Sequence, residues 1–259
     1  MSHDQLQPYL ARPLAPVDPA VAAAIAAGPI DPAQALAPTE CDRLLDPFPL
    51  PAENGWCTLP DGVGYVAVRT AMPGVSAEMV DWWFDWHPRQ GIRYRVWHPL
   101  AHRENSVEQP ATPGHKAHWG AVHHPVEDIG TGEEHMRIEF TRPSEIGMSN
   151  DALALPHVGT IVCGLAGDDR RRMRHTIMFH VFLRHGDGVV LRSRFWIGAA
   201  IRPYGPLGAA GAALLNNRFV RGAIIPRRVP AALARHCTEE YANLAALLPE
   251  LYQRFGPAT

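Results

Sequence analysis

A helical stripe close to the C-terminus of this 259-residue chain constrains its fold more than any other feature. Residues 230–247 read as an amphipathic helix that continues to Pro249 or slightly past it. At roughly 100° per residue, Leu233, His236, Glu240, Leu244 and Leu247 share one face. That face is the one that meets a core, so an imidazole and a carboxylate four residues apart lie together among leucines. Two readings stand side by side. An isolated His-x-x-x-Glu is most often a surface pair or a satisfied core contact. Otherwise it supplies two ligands of a zinc-like divalent ion, for which His nitrogen and Glu oxygen are ordinary donors.

The partner of this helix is written upstream. Strand-like runs occur at 64–70, 92–97, 118–126, 136–141, 157–165, 175–183 and 189–201, the last two joined by the hairpin turn His185-Gly186-Asp187-Gly188. Between the first two, Ser76 caps a short aromatic helix carrying Trp82, Trp83, Phe84 and Trp86, with Glu78 in its first turn. The first fifty or so residues are rich in Pro and Ala and hold short helical signals, one capped by Thr39. After Ile201 a Gly/Ala-rich stretch leads into the final helix. These elements make an α+β chain: an antiparallel sheet curled around one long C-terminal helix. Residues 1–58 form an N-terminal helical arm or subdomain and 59–259 the main domain. Such a grip leaves a cavity into which His236 and Glu240 project.

Composition narrows the function classes. Lys+Arg 24 against Asp+Glu 26 leaves no basic excess for nucleic acid, and Arg170-Arg171-Arg172 reads as a solvated turn. The four cysteines, Cys41, Cys57, Cys163 and Cys237, have no short regular spacing, which argues against a disulfide scaffold or a thiolate metal site. No signal-length apolar run follows a basic start, and residues 21–27 are too short to span a membrane, so a cytoplasmic protein is expected. There is no internal repeat and no Gly-rich phosphate loop. Histidine is the outlier at 14 residues. Of these, His115, His118, His123 and His124 crowd one segment and read mainly as structural.

Further ligands should come from the sheet. The richest segment is 93–105, read as a strand that carries Tyr94, ends at Pro99 and presents His98 and His102 at its mouth. Glu127 ends another strand before a turn. Glu139 alternates with Arg137 and His135 opposite Met136, Ile138 and Phe140, which puts it on the solvent face. His180, mid-strand between Met178 and Phe182, points into apolar space.

Taken in order, Tyr94, Trp97-His98-Pro99, His102, Asn105, Val126-Glu127-Asp128-Ile129-Gly130, His180 and His236-x-x-x-Glu240 resemble the 2,4-diacetylphloroglucinol hydrolase family, over roughly residues 60 to 245. That family includes phloretin hydrolases. The resemblance implies a Bet v 1-like helix-grip fold and Zn2+ held by His102, Glu127, His236 and Glu240, with Fe2+ or Mn2+ as the lesser alternatives. Glu133, Glu134 and Glu139 compete with Glu127, and His98 competes with His102, whose spacings to Tyr94 and Asn105 fit the family pattern. It also implies that Tyr94, Asn105 and His180 hold phenolic hydroxyls and the acyl carbonyl, and that the protein is a homodimer. Where the family pattern has a second tyrosine, this chain has Phe195, which removes one hydrogen bond to a ring oxygen.

The implied reaction is retro-Claisen hydrolysis of an acylated polyhydroxyphenol, with zinc supplying Lewis-acid activation of water or of the carbonyl. His180, whose unperturbed pKa is near neutrality, would move protons. Two other classes fit the same residues. One keeps the metal and changes the reaction to another C–C hydrolysis, a cyclisation or non-haem iron chemistry. The other is a non-catalytic binding protein whose pocket is lined by the helix around Trp82, Trp83 and Trp86.

Overall fold

A computed structural model describes residues 5–110, 116, 118–205, 212 and 215–257. His115 and most of the Gly/Ala-rich stretch after Ile201 lie outside the described residues. Among them, eight strands form one antiparallel sheet: β1 (Gly55–Thr58), β2 (Gly64–Met72), β3 (His102–Gln109), β4 (Val122–Asp128), β5 (Glu133–Phe140), β6 (Val158–Asp168), β7 (Met173–His185) and β8 (Gly188–Pro203). Their order across the sheet is β1-β2-β8-β7-β6-β5-β4-β3. The helices are α1 (Gln7–Leu10), α2 (Pro19–Ala26), α3 (Ala77–Trp86), α4 (Gly91–Trp97), α5 (Arg218–Ile224) and α6 (Val229–Phe255). The sheet grips α6, as the strand pattern and the terminal stripe imply, and the layout is the Bet v 1-like helix-grip that the family resemblance implies. Pro249 does not stop α6, which runs six residues beyond it to Phe255.

The central strands are buried on both faces, which is why β7 and β8 read as almost unbroken apolar runs. On one face Val66, Val68, Val162, Met178, Phe182, Leu191 and Ile197 pack with Ala234, Tyr241, Leu244 and Leu248 of α6. On the other, Tyr65, Ile161, Cys163, Phe179 and Trp196 pack with Leu36, Cys41, Leu44 and Leu50 from the N-terminal segment. That segment is fastened by buried charge. The Arg192 guanidinium donates to the carbonyls of Leu44, Asp46 and Phe48 and pairs with Glu53 at 2.8 Å. Further towards the start, Tyr9 Oη and Arg12 both donate to Glu250, which ties the first residues to the end of α6.

Three elements differ from expectation. Residues 92–97, expected as a strand, form the helix α4. Ile92, Arg93, Tyr94, Val96 and Trp97 are all buried, so neither a period of 2 nor one of 3.6 emerges, and a six-residue run cannot separate the two. The segment that does enter the sheet, β3, is an edge strand exposed at six of its eight positions, with no apolar alternation to mark it. The expected strand from His118 starts late, at Val122, because Gly120 (φ +80°) sits in a turn. The aromatic helix over 77–86 is present, with Ser76 Oγ accepting from the Met79 N–H. The hairpin at 186–187 is present too, with His185 paired to Gly188. The four cysteines are free and buried.

Candidate metal centre

Four side chains converge where β3 and β4 meet α6. His102 is the first residue of β3 and Glu127 lies directly across from it in β4. The β4–β5 turn that holds Glu127 in place is shaped by Asp128, whose Oδ1 accepts from the N–H groups of Gly130 and Gly132. Gly130 adopts φ +96°, a conformation that any other side chain would strain, and lies against the Arg235 guanidinium. From α6 come His236 and Glu240, one turn apart and both buried. His102 Nε2 lies 3.7 Å from Glu127 Oε2 and 3.6 Å from Glu240 Oε2, and His236 Nε2 lies 4.0 Å and 3.7 Å from the same two atoms. Among the described residues, His102, His236 and Glu240 form a buried group whose donor atoms lie within 4.8 Å of one another, a spacing that can hold a metal ion.

Hydrogen bonds around the cluster decide which nitrogens are available. His102 Nδ1 is 3.0 Å from the Tyr94 carbonyl, which only accepts, so Nδ1 carries the proton and Nε2 presents a lone pair. That Nε2 is buried and has no hydrogen-bond partner. The His98 pattern is reversed: its Nδ1 accepts from the Ala101 N–H at 3.0 Å, and its Nε2–H faces Glu239. Both His98 nitrogens are thus engaged, whereas the His102 lone pair points at two carboxylates. Burial lowers both cluster imidazoles to about 4, so they are neutral. Burial raises Glu240 to about 7, with the Glu127 carboxylate adding to the rise and His236 opposing it. Bare lone pairs facing carboxylates repel each other unless a cation sits between them, and two imidazole nitrogens with two carboxylate oxygens make a suitable donor set for zinc.

Neighbouring elements hold the donors in place. Tyr94 stacks on His102 and donates its hydroxyl to Glu127 Oε2 at 2.5 Å. Trp97 Nε1 donates to the Glu240 carbonyl, and Asn243 Nδ2 returns a hydrogen bond to the Trp97 carbonyl, which locks α4 on α6. Of the competing carboxylates, Glu133 and Glu139 bind arginine or histidine at the surface. Glu134 lies directly across from Glu127 in β5 and accepts from Thr131 Oγ1.

Beside the cluster is a chamber of about 120 Å³ lined by Glu127, His236 and Glu240 together with Phe84, Trp97, Phe140, Met178, His180, Phe195 and Tyr241. A cavity of roughly 150 Å³ takes a benzene ring, so the chamber is of single-ring size. His180 Nδ1 is fixed on Ser193 Oγ at 2.8 Å, and burial lowers the imidazole to about 3, so it is neutral. Phe195 meets the His180 ring edge-on. Asn105 is buried with an unpartnered Oδ1, but it borders a second cavity of about 570 Å³, with Gln90 and His123. Phe84 lines both cavities. Trp83 lies in the aromatic core, wholly buried, and lines neither. Tyr241, on the far side of Glu240 from His236 in sequence, went unremarked in the sequence because an aromatic residue on the buried face of a helix reads as core.

A helix-grip fold with two imidazoles and two carboxylates set beside a ring-sized apolar chamber defines a small-molecule protein with a candidate metal centre. Residues 36–253 match the DAPG hydrolase PhiG domain, and the chain belongs to that family. It is 32% identical to the phloretin hydrolase of Eubacterium ramulus over 255 residues, covering 94% of this chain and 88% of that one. It is 30% identical to the 2,4-diacetylphloroglucinol hydrolase of Pseudomonas protegens over 224 residues, covering 84% of this chain and 73% of that one. Among solved structures, the Zhui aromatase/cyclase of Streptomyces sp. R1128 aligns with a TM-score of 0.40 at 13% identity, over 76% of this chain and 99% of that one. No helix among the described residues is long and apolar enough to cross a membrane.

Proposed function

We propose that this protein is a zinc-dependent hydrolase that cleaves the bond between an acyl carbon and a ring carbon of a polyhydroxylated aromatic ketone. The observation that carries the reading is the bare His102 Nε2, aimed at Glu127 and Glu240 beside the chamber. The two hydrolase relatives, similar over most of the chain, support the substrate class. His102, Glu127, His236 and Glu240 would hold the ion, which supplies Lewis-acid chemistry when bound.

The remaining residues define the rest of the reaction. Water contributes its hydroxyl to the acyl carbon and a proton to the ring carbon, so a carboxylic acid and the deacylated phenol leave. The chamber walls of Phe84, Phe140, Met178 and Phe195 clasp the ring and exclude bulk water. His180, neutral and anchored through Nδ1, offers Nε2 to a substrate oxygen and can take or return a proton there. Tyr94 has committed its proton to Glu127, so towards substrate its oxygen acts as an acceptor from a phenolic hydroxyl. Asn105 presents its amide to the part of the substrate that extends into the larger cavity.

The test is acid release, followed by mass spectrometry, from mono- and diacylphloroglucinols and phloretin with and without a chelator. Cleavage that the chelator abolishes is the expected result. Turnover that a chelator leaves intact would sink the metal dependence, and no turnover by zinc-loaded protein would sink the substrate class.

A further inference from the structure

The Tyr241 side chain is fully buried, and its hydroxyl has no hydrogen-bond partner among the described residues. A buried donor without a partner costs free energy, and phenylalanine would fill the same space without that cost. The residue lines the ring-sized chamber. Its ring lies 4.9 Å from that of His180, 5.4 Å from that of Trp97 and 6.4 Å from that of Phe182, three neighbours that leave the hydroxyl unsatisfied. Tyr94 donates its hydroxyl hydrogen bond to Glu127, His180 has fixed Nδ1 on Ser193, and Phe195 has no polar atom. Tyr241 is therefore the one phenol lining this chamber whose proton is uncommitted among the described residues.

We propose that Tyr241 is a specificity-determining residue that donates a hydrogen bond to a ring oxygen of the bound phenol. This rests on the reading of the chamber as the site of an acylated polyhydroxyphenol. When the acyl–ring bond breaks, its electron pair passes into the ring and onto the ring oxygens before the ring carbon takes its proton. A donor held in a mostly apolar chamber at one of those oxygens favours that charge distribution and rejects rings lacking the oxygen.

The experiment compares wild type with Tyr241→Phe, both zinc-loaded, by calorimetric binding of phloroglucinol and of mesitylene, which has the same outline and no oxygen. A thermal melt and metal analysis accompany each protein. Phloroglucinol affinity should fall tenfold or more in the variant while mesitylene affinity is held or improved. Metal content should be unchanged, and the melting temperature should be equal or higher. An equal change for both ligands, no binding of phloroglucinol to wild type, or a lowered melting temperature each overturns the inference, the last because it reveals a structural partner for the hydroxyl. Binding is read without turnover, so an inactive wild type that still shows the discrimination defeats the hydrolase reading alone.

Discussion

The rings of Tyr94 and His102 lie parallel with their centres 4.0 Å apart, and the Tyr94 carbonyl accepts a hydrogen bond from Nδ1–H of the same histidine. One residue thus sets the tilt and the tautomer of another, while its hydroxyl reaches across to Glu127. Supporting contacts of this kind are worth about 10–100-fold in metal affinity. Tyr94→Phe keeps the stack and the backbone carbonyl and removes only the hydrogen bond to Glu127. We expect zinc affinity to weaken by about tenfold, measured by chelator competition, with the fold intact by circular dichroism. An affinity equal to wild type would mean that Glu127 is oriented by something else.

Much of this arrangement can be read in the sequence, but unevenly. The stripe containing His236 and Glu240 is legible because a long helix repeats its period often enough to fix its face. Residues 92–97 are not, since a six-residue run with five buried positions carries no period, and the edge strand from His102 is polar on both sides. Resemblance to a family placed His102 and Glu127 where local pattern could not, because their proximity is created by strand pairing. Trp83 and Phe84 illustrate the remaining limit: adjacent aromatic residues on one helix turn to different surroundings, and only packing decides that Phe84 faces the chamber.

Glu240→Gln separates the cost of the site from its use. Burial lifts the Glu240 carboxyl to about 7, well above its ordinary value of 4.5. A group raised in the folded state gives stability that is present below the unfolded pKa and is lost as pH rises through the folded one. Metal-free wild type should therefore lose stability between about pH 4.5 and pH 8 from this group, with a ceiling of about 3 kcal/mol. The glutamine variant carries no such charge. In chelator at pH 8 it should melt above the wild type, and near pH 5 the two should coincide. Added zinc should raise the wild-type melting temperature and leave the variant unmoved; a variant that still gains stability from zinc would remove Glu240 from the ligand set.

Acid should act on the metal-free protein with the opposite sign through its buried histidines. Burial holds His102, His118, His123 and His236 near 4 and His180 near 3, against an ordinary value of 6.5. Between those limits the unfolded chain binds more protons than the folded one, so stability falls as pH drops from about 6.5 towards 4. Five such groups outweigh the gain from Glu240, and the summed loss is comparable with the roughly 5–15 kcal/mol that holds a domain together. Acid unfolding followed by circular dichroism should have its midpoint above pH 4. A melting temperature that stays level from pH 7 to pH 4.5 would count against neutral burial of these rings.

Arg192 tests whether the N-terminal segment is part of the folding unit. Its guanidinium is almost wholly buried on the face of the sheet opposite α6, where it satisfies three carbonyls from residues 44–48 and the Glu53 carboxylate. Arg192→Ala leaves those carbonyls and the Glu53 charge without their partner, a defect that costs about 3–5 kcal/mol when a buried pair is broken on one side. Arg192→Ala combined with Glu53→Ala removes both charges, so it should recover part of that loss. The segment also covers the hydrophobic face formed by Tyr65, Phe179 and Trp196, so weakening its anchor should expose that face. Urea unfolding should show a lower midpoint in the single variant, together with early protease cleavage between residues 30 and 54. If the midpoint falls while cleavage stays as slow as in wild type, the guanidinium stabilises the sheet itself and the segment is held by its apolar contacts alone.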